Sequence, residues 1–139
     1  MIVLDTNVVS ELIRPRPALR VVDWVRGQAA LRLYLSSISE AELRYGVEIL
    51  PDGSRRMELR DAVEGLLRED FAGRILPFGS DAARAYALIA ASRRAVGRPI
   101  SRGDCQIAAI ARSVGASVAT RDTGGFEGCG IDVVNPWSD

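Results

Sequence analysis

Four carboxylates stand at positions where a carboxylate is conspicuous: Asp5 in MIVLDTN, Glu42 in SEAELRYG, Asp104 in SRGDCQ and Asp122 in ATRDTGG. Asp5 follows the apolar run Ile2, Val3 and Leu4 directly, with Thr6 and Asn7 behind it, so a buried strand ends on a charge. A buried charge is costly unless something pairs with it. The chain has no histidine, and all eighteen of its basic residues are arginine. Carboxylates and other oxygen donors are therefore its main chemical tools, and such a set suits hard cations such as Mg²⁺ or Mn²⁺.

Each acid also has a plain structural explanation. Asp5 is placed to cap a helix over NVVSELI. Glu42 stands three residues after Ser39, and Asp104 three after Ser101, both in the spacing of a capping box. An aspartate in a first turn also complements the helix dipole. Asp122 sits in a glycine-rich turn, where aspartate often bonds its own backbone. Glu40 rivals Glu42, because helical spacing forbids both from facing one point. Taken together, the acids raise a stronger question. Two carboxylates ~4 Å apart at an effective dielectric of ~20 repel by about 4 kcal/mol. No lysine offsets that, and the residues beside the acids are mostly small or apolar. A divalent cation offsets it directly. Either the four do not converge, or they hold metal.

Composition narrows the alternatives. Without histidine or lysine, Ser-His-Asp and Cys-His catalysis, Schiff-base chemistry, Walker-A phosphate binding and histidine zinc sites are excluded. Cys105 and Cys129 are too few for a disulfide framework or a thiolate zinc site. Eighteen acids balance eighteen arginines, so the net charge is zero. That argues against a nucleic-acid coat but leaves room for an enzyme that touches nucleic acid briefly. No apolar run approaches the ~20 residues of a membrane span. No basic segment precedes an apolar start, so the expected location is the cytoplasm, with no membrane partner. At 139 residues a single domain is expected.

Strands are expected over 2–5, 31–37, 74–78, 116–120 and 131–137. Helices are expected over NVVSELI, 18–28, 39–50, 54–71, 81–97 and 102–115. RPRP breaks the first helix, since each proline disfavours helix at the residue before it. Short apolar strands separated by helices predict an α/β fold, a parallel sheet covered on both faces. Ligands of such sheets bind at the carboxyl ends of the strands, where strand order reverses. Asp5, Glu42 and Asp122 follow strands at that edge, and Asp104 opens a helix able to face it.

IVLDTNVVSEL, SEAELRYG, GDCQIAAIA and TRDTGGF, in this order and spacing and with the ending VVNPW, resemble the four acidic motifs of PIN-domain ribonucleases. The resemblance is closest to the VapC and FitB type toxins of bacterial toxin–antitoxin pairs, and it covers residues 1–139. It implies a PIN-like fold, a five-stranded, mainly parallel sheet of order 3-2-1-4-5 flanked by helices. It implies an endoribonuclease dependent on Mg²⁺ or Mn²⁺. Asp5, Glu42, Asp104 and Asp122 match the family's acids, with Asp5 and Asp104 as direct metal ligands. Thr6, Asn7 and Thr120 match polar residues that support them. The resemblance further implies a homodimer and a cognate antitoxin that blocks the site. An acidic cleft invites an inserted arginine from that partner.

Arg14, Arg16, Arg44, Arg102 and Arg121 lie near the motifs, and arginine forks match phosphate. Each is a candidate RNA contact, with a solvated surface as the plainer reading. Arg98 also lies near a motif, whereas Arg56, Arg60 and Arg68 read as surface. Tyr45 and Phe126 read first as packing, then as base-stacking residues. Trp24 and Trp137 read as core or interface, and Cys105 as a small buried residue. A haloacid-dehalogenase-like phosphatase needs a second aspartate where Asn7 stands, and a response-regulator receiver needs a lysine. The remaining alternatives are a PIN-like module that binds without cleaving and a DNA-directed nuclease.

Overall fold

The computed structural model describes residues 1–139. Its sheet is built from five short strands: β1 (Ile2–Leu4), β2 (Leu33–Ser36), β3 (Ile75–Leu76), β4 (Ser117–Ala119) and β5 (Val133–Val134). All pairings are parallel and the order is β3-β2-β1-β4-β5. Parallel neighbours need long crossovers. Six helices supply or support them: α1 (Thr6–Leu12), α2 (Leu19–Arg26), α3 (Ser37–Glu48), α4 (Ser54–Gly65), α5 (Ser80–Ala95) and α6 (Arg102–Ser113). Strand order reverses beside β1, whose neighbours are β2 and β4.

The pleat of β1 divides the core in two. Ile2 and Leu4 pack with Val8, Val9, Leu35 and Leu43 under α1 to α4, while Val3 packs with Val118 and the buried faces of α5 and α6. α6 buries Cys105, Ile107, Ala108, Ala109, Ile110 and Ala111. Its alanines carry no side-chain entropy cost and let α5 approach closely. Cys105 is the small buried residue expected.

The sequence reading misplaced several boundaries. β1 stops at Leu4, because Asp5 already caps α1. α3 starts at Ser37 rather than Ser39, with Ser36 Oγ accepting from Ser39 N at 3.1 Å. The Ser39–Glu42 capping box is therefore not formed. The helix expected over 54–71 divides at Gly65, and a π-helical turn, Leu66–Asp70, follows. There Phe71 N–H donates to Leu66 O at 2.9 Å. That wider turn buries Leu66, Leu67 and Phe71 together. β2 is shortened by a 3₁₀ turn at Ala30–Arg32. β3 and β5 shrink to two residues each. Pro77 and Pro136 stand just beyond them and have no N–H to extend a ladder.

Candidate active site

Asp5 stands at the carboxyl end of β1, the point where strand order reverses. It is only 5% exposed. Its Oδ1 accepts from Thr6 N–H at 2.8 Å. Its Oδ2 accepts from the Thr120 hydroxyl at 2.7 Å and from Asn7 Nδ2 at 2.9 Å. Burial pushes the Asp5 pKa up, and the neighbouring Asp104 and Glu42 charges push the same way. The bonds from Thr120 and Thr6 oppose that rise without cancelling it. The carboxylate is thus fixed in place by three donors, in surroundings that raise its pKa.

Glu42 comes from α3. The earlier start of that helix leaves its carboxylate free of capping, and it reaches toward α6. A Cβ on Gly103 would lie 3.5 Å from Glu42 Oε1. Glu40 points elsewhere, pairing with Arg44 at 3.1 Å. Asp104 is in the first turn of α6, where its N–H donates to Ser101 Oγ at 3.3 Å. α1 and α3 are joined at the site by the Thr6 and Ser39 hydroxyls, 2.8 Å apart.

Asp5, Glu42 and Asp104 line one open cleft of about 500 Å³. Thr6, Asn7, Ser10, Glu11, Arg14, Arg121 and Trp137 complete its wall. No ion pair in the chain involves Asp5, Glu42 or Asp104. No three acids stand close enough together, as arranged, to wrap an ion. The chemistry of the set nonetheless fits a hard cation, with oxygen donors only and uncompensated negative charge.

Asp122 is not part of that wall. Its Oδ1 accepts from Gly125 N–H at 3.0 Å, the turn bond expected of it. Its own N–H donates to Thr120 Oγ1 at 3.0 Å, so one hydroxyl links it to Asp5.

The candidate arginines separate. Arg14 lines the cleft while pairing with Glu11 at 3.3 Å. Arg121 lines it with its guanidinium 5.0 Å from the Trp137 ring centre. Arg16 and Arg102 are exposed and make no ion pair. Arg44 does not line the cleft, and Glu40 and Glu64 both pair with it. Tyr45 is 67% exposed and not packing, whereas Phe126 is core and cannot stack on a base.

Sequence reasoning missed Glu11, Ser10 and Trp137. The signal for the first two was present, since Asn7, Ser10, Glu11 and Arg14 recur at the three-to-four spacing of one helix face. Glu11 is buried and takes Ala18 N–H at 3.0 Å as well as Arg14. No pattern announced that Trp137, near the end of the sequence, would line the cleft with Asp5.

A second groove of about 670 Å³ adjoins the cleft. It runs between α1, α3 and α4 over Ile13, Leu43, Leu50, Leu59, Ala62 and Val63, and shares Thr6, Ser10, Arg14 and Glu42 with the acidic cleft.

Comparison with known proteins bears on the fold and the family. The PIN domain family matches residues 2–128. The chain is 47% identical over 137 residues to the VapC ribonuclease Y4jK of Sinorhizobium fredii, covering 99% of this chain and 98% of that protein. It is 45% identical over 139 residues to the toxin FitB of Neisseria gonorrhoeae, covering all of both chains. It superposes with a TM-score of 0.94 on a chain of the solved structure of FitAB bound to the IR36 DNA fragment, at 43% identity, covering 100% of this chain and 97% of that one. With a matching family model, relatives of this identity and the expected 3-2-1-4-5 sheet, the chain belongs to the PIN-domain family.

Proposed function

We propose that this protein is a divalent-metal-dependent endoribonuclease acting as the toxin of a toxin–antitoxin pair, with residues 1–139 as a single PIN domain. The observation that carries the reading is the set of three carboxylates, Asp5, Glu42 and Asp104, facing one cleft with no cation paired to any of them. The similarity to a VapC ribonuclease and to toxin FitB supports it.

Asp5 and Asp104 are the residues to hold Mg²⁺ or Mn²⁺ directly. A bound ion supplies an activated water and neutralises the charge on the departing oxygen of a phosphodiester. Glu42 completes the ligand set or orients the attacking water. Asp122, outside the cleft wall, contributes through water to a second or outer ion. Thr6, Asn7 and Thr120 fix the Asp5 carboxylate so that its remaining lone pairs point one way. Arg14, Arg16, Arg102 and Arg121 are the cations available to an RNA backbone. The protein acts in the cytoplasm.

The partner is an antitoxin segment whose apolar residues fill the groove over Leu43, Leu59 and Val63 and whose arginine enters the acidic cleft. Continuity of groove and cleft supports that route, as does the solution of FitB relatives as complexes named FitAB and FitAcB. A homodimer is part of the proposal.

The test is Mn²⁺ titration by calorimetry of the partner-free protein beside Asp5→Asn and Asp104→Asn, followed by RNA cleavage. Saturable binding lost in both folded variants, together with cleavage lost in both, is the expected result. Cleavage that survives both substitutions would remove the acids from the mechanism.

A further inference from the structure

Arg121 poses a problem of electrostatics. It lines the cleft with Asp5, Glu42 and Asp104, yet it forms an ion pair with none of them. A flexible guanidinium beside unpaired carboxylates should collapse onto them. Two contacts position the residue, one at its backbone and one at its guanidinium. Its backbone N–H donates to Asn7 Oδ1 at 3.3 Å, and Asn7 in turn donates to Asp5. Its guanidinium stands 5.0 Å from the Trp137 ring centre, within cation–π range.

Trp137 is itself anchored. It packs against the core that contains Ile2 and Leu4. Its backbone N–H donates to Asn135 Oδ1 at 2.9 Å, and the Asn135 backbone N–H donates to Asp139 Oδ2 at 2.7 Å. Arg20 ties the same turn to α2 by donating to Ser138 O at 3.2 Å. The closing turn of the chain is thus a built support for one indole, and the indole supports one cation at the rim of the acidic site.

We infer that Arg121 binds a phosphate of the RNA strand next to the reacting one, and that Trp137 is a positioning residue that keeps Arg121 available for it, an inference that rests on the nuclease reading above. A guanidinium fork takes two phosphate oxygens at once, and its flat face tolerates stacking on an indole while it does so. Kept on Trp137, the cation stays off the metal-binding carboxylates and faces the strand they cut. The pairing explains why an arginine and a set of cation ligands share a cleft without neutralising one another.

The test uses the full chain, free of partner, with a fluorescein-labelled single-stranded oligoribonucleotide in Ca²⁺ buffer, binding being read by anisotropy across a salt series. Cleavage in Mg²⁺ is measured in parallel. Arg121→Gln is expected to weaken binding about tenfold and to lower the slope of log affinity against log salt by about 0.7, the increment for one phosphate contact on a single strand. KM should rise while kcat and Mn²⁺ affinity hold. Trp137→Ala should do the same, Trp137→Phe should rescue it, and Arg121→Gln with Trp137→Ala should be no worse than Arg121→Gln alone. An unchanged salt slope in Arg121→Gln, or additive losses in the double variant, would overturn the inference while an active wild type and an inactive Asp5→Asn left the nuclease reading standing. A wild type that neither binds nor cleaves RNA, indistinguishable from Asp5→Asn, would overturn both.

Discussion

The Thr120 hydroxyl donates to Asp5 Oδ2 at 2.7 Å, although 115 positions separate the two residues. Leu4 and Ala119 are paired in the sheet, and Asp5 N–H donates to Ala119 O at 2.9 Å. The side-chain bond therefore continues the β1–β4 ladder one residue past the strands, and places a donor against the carboxylate where the ladder ends. The same hydroxyl accepts from Asp122 N–H and from Asn7 Nδ2, so a single oxygen organises three site residues.

Thr120→Val removes that oxygen and keeps the shape. It leaves Asp122 N–H without its partner and Asp5 with one donor fewer, at an expected cost of about 1–3 kcal/mol in denaturant unfolding. Mn²⁺ affinity should fall roughly 10–100-fold, as it does when support for a metal ligand is removed. Thr120→Ser should restore both. Calorimetry that found the affinity of Thr120→Val unchanged would separate Asp5 from the metal.

Two glutamates on α3 have opposite expected fates. Glu42 faces the cleft and Glu40 is committed to Arg44. Glu42→Gln should lower turnover about a hundredfold, the scale of a lost proton-handling or water-orienting group. Glu40→Gln and Arg44→Ala should leave cleavage near wild type and cost under about 1 kcal/mol, as exposed ion pairs do. Equal losses in Glu40→Gln and Glu42→Gln, measured as kcat on one RNA, would contradict this division of α3.

Much of this arrangement was legible in the sequence, for identifiable reasons. Asp5 was conspicuous because a strand that buries Ile2, Val3 and Leu4 ends on it, and the sheet edge follows from the alternation of strands and helices. The motif order carried the 3-2-1-4-5 topology through family resemblance. What failed was local competition between similar groups. Ser36 and Ser39 are both capping residues, and only the backbone turn decides that Ser36 accepts from Ser39 N–H. The helix over 54–71 has one continuous amphipathic pattern, and the π turn arises from packing Leu66, Leu67 and Phe71 together. Arg44 has one partner legible at helical spacing, Glu40, while its second, Glu64, lies twenty positions away. Trp137 was invisible as a site residue because its contact with Arg121 is made only by the folded chain.

Asp122 offers a test through its glycine neighbour. A Cβ added at Gly125 would lie 2.4 Å from Asp122 Oδ2, so Gly125→Ala must displace the carboxylate. Asp122→Asn instead keeps an oxygen able to accept from Gly125 N–H. With Asp122 acting through water, both variants should lose about tenfold in activity at limiting Mg²⁺. Asp5→Asn should lose far more. Raising Mg²⁺ should recover most of the loss for Asp122→Asn and Gly125→Ala and none for Asp5→Asn. Loss of activity in Asp122→Asn and Gly125→Ala that excess Mg²⁺ fails to reverse would make Asp122 a direct participant.

The raised pKa of Asp5 makes metal binding and stability depend on pH in a defined direction. Burial lifts this carboxyl above 3.8 in the folded chain. The native state therefore holds the proton more tightly than the unfolded state. Its contribution to stability is fully present below the unfolded pKa and is lost as pH rises through the folded one. Without metal, Asp5 should lower Tm across that window. Mn²⁺ binds only the ionised carboxylate, so its effect runs the other way. At metal near 100 times Kd the stabilisation at neutral pH should be about 2.7 kcal/mol, shrinking as pH falls toward the window. Melting curves of wild type and Asp5→Asn, each with and without Mn²⁺, isolate the group from the other carboxylates of the chain. The gap between loaded and metal-free Tm should widen with pH in the wild type and stay flat in Asp5→Asn. A parallel widening in Asp5→Asn would place the metal on other acids.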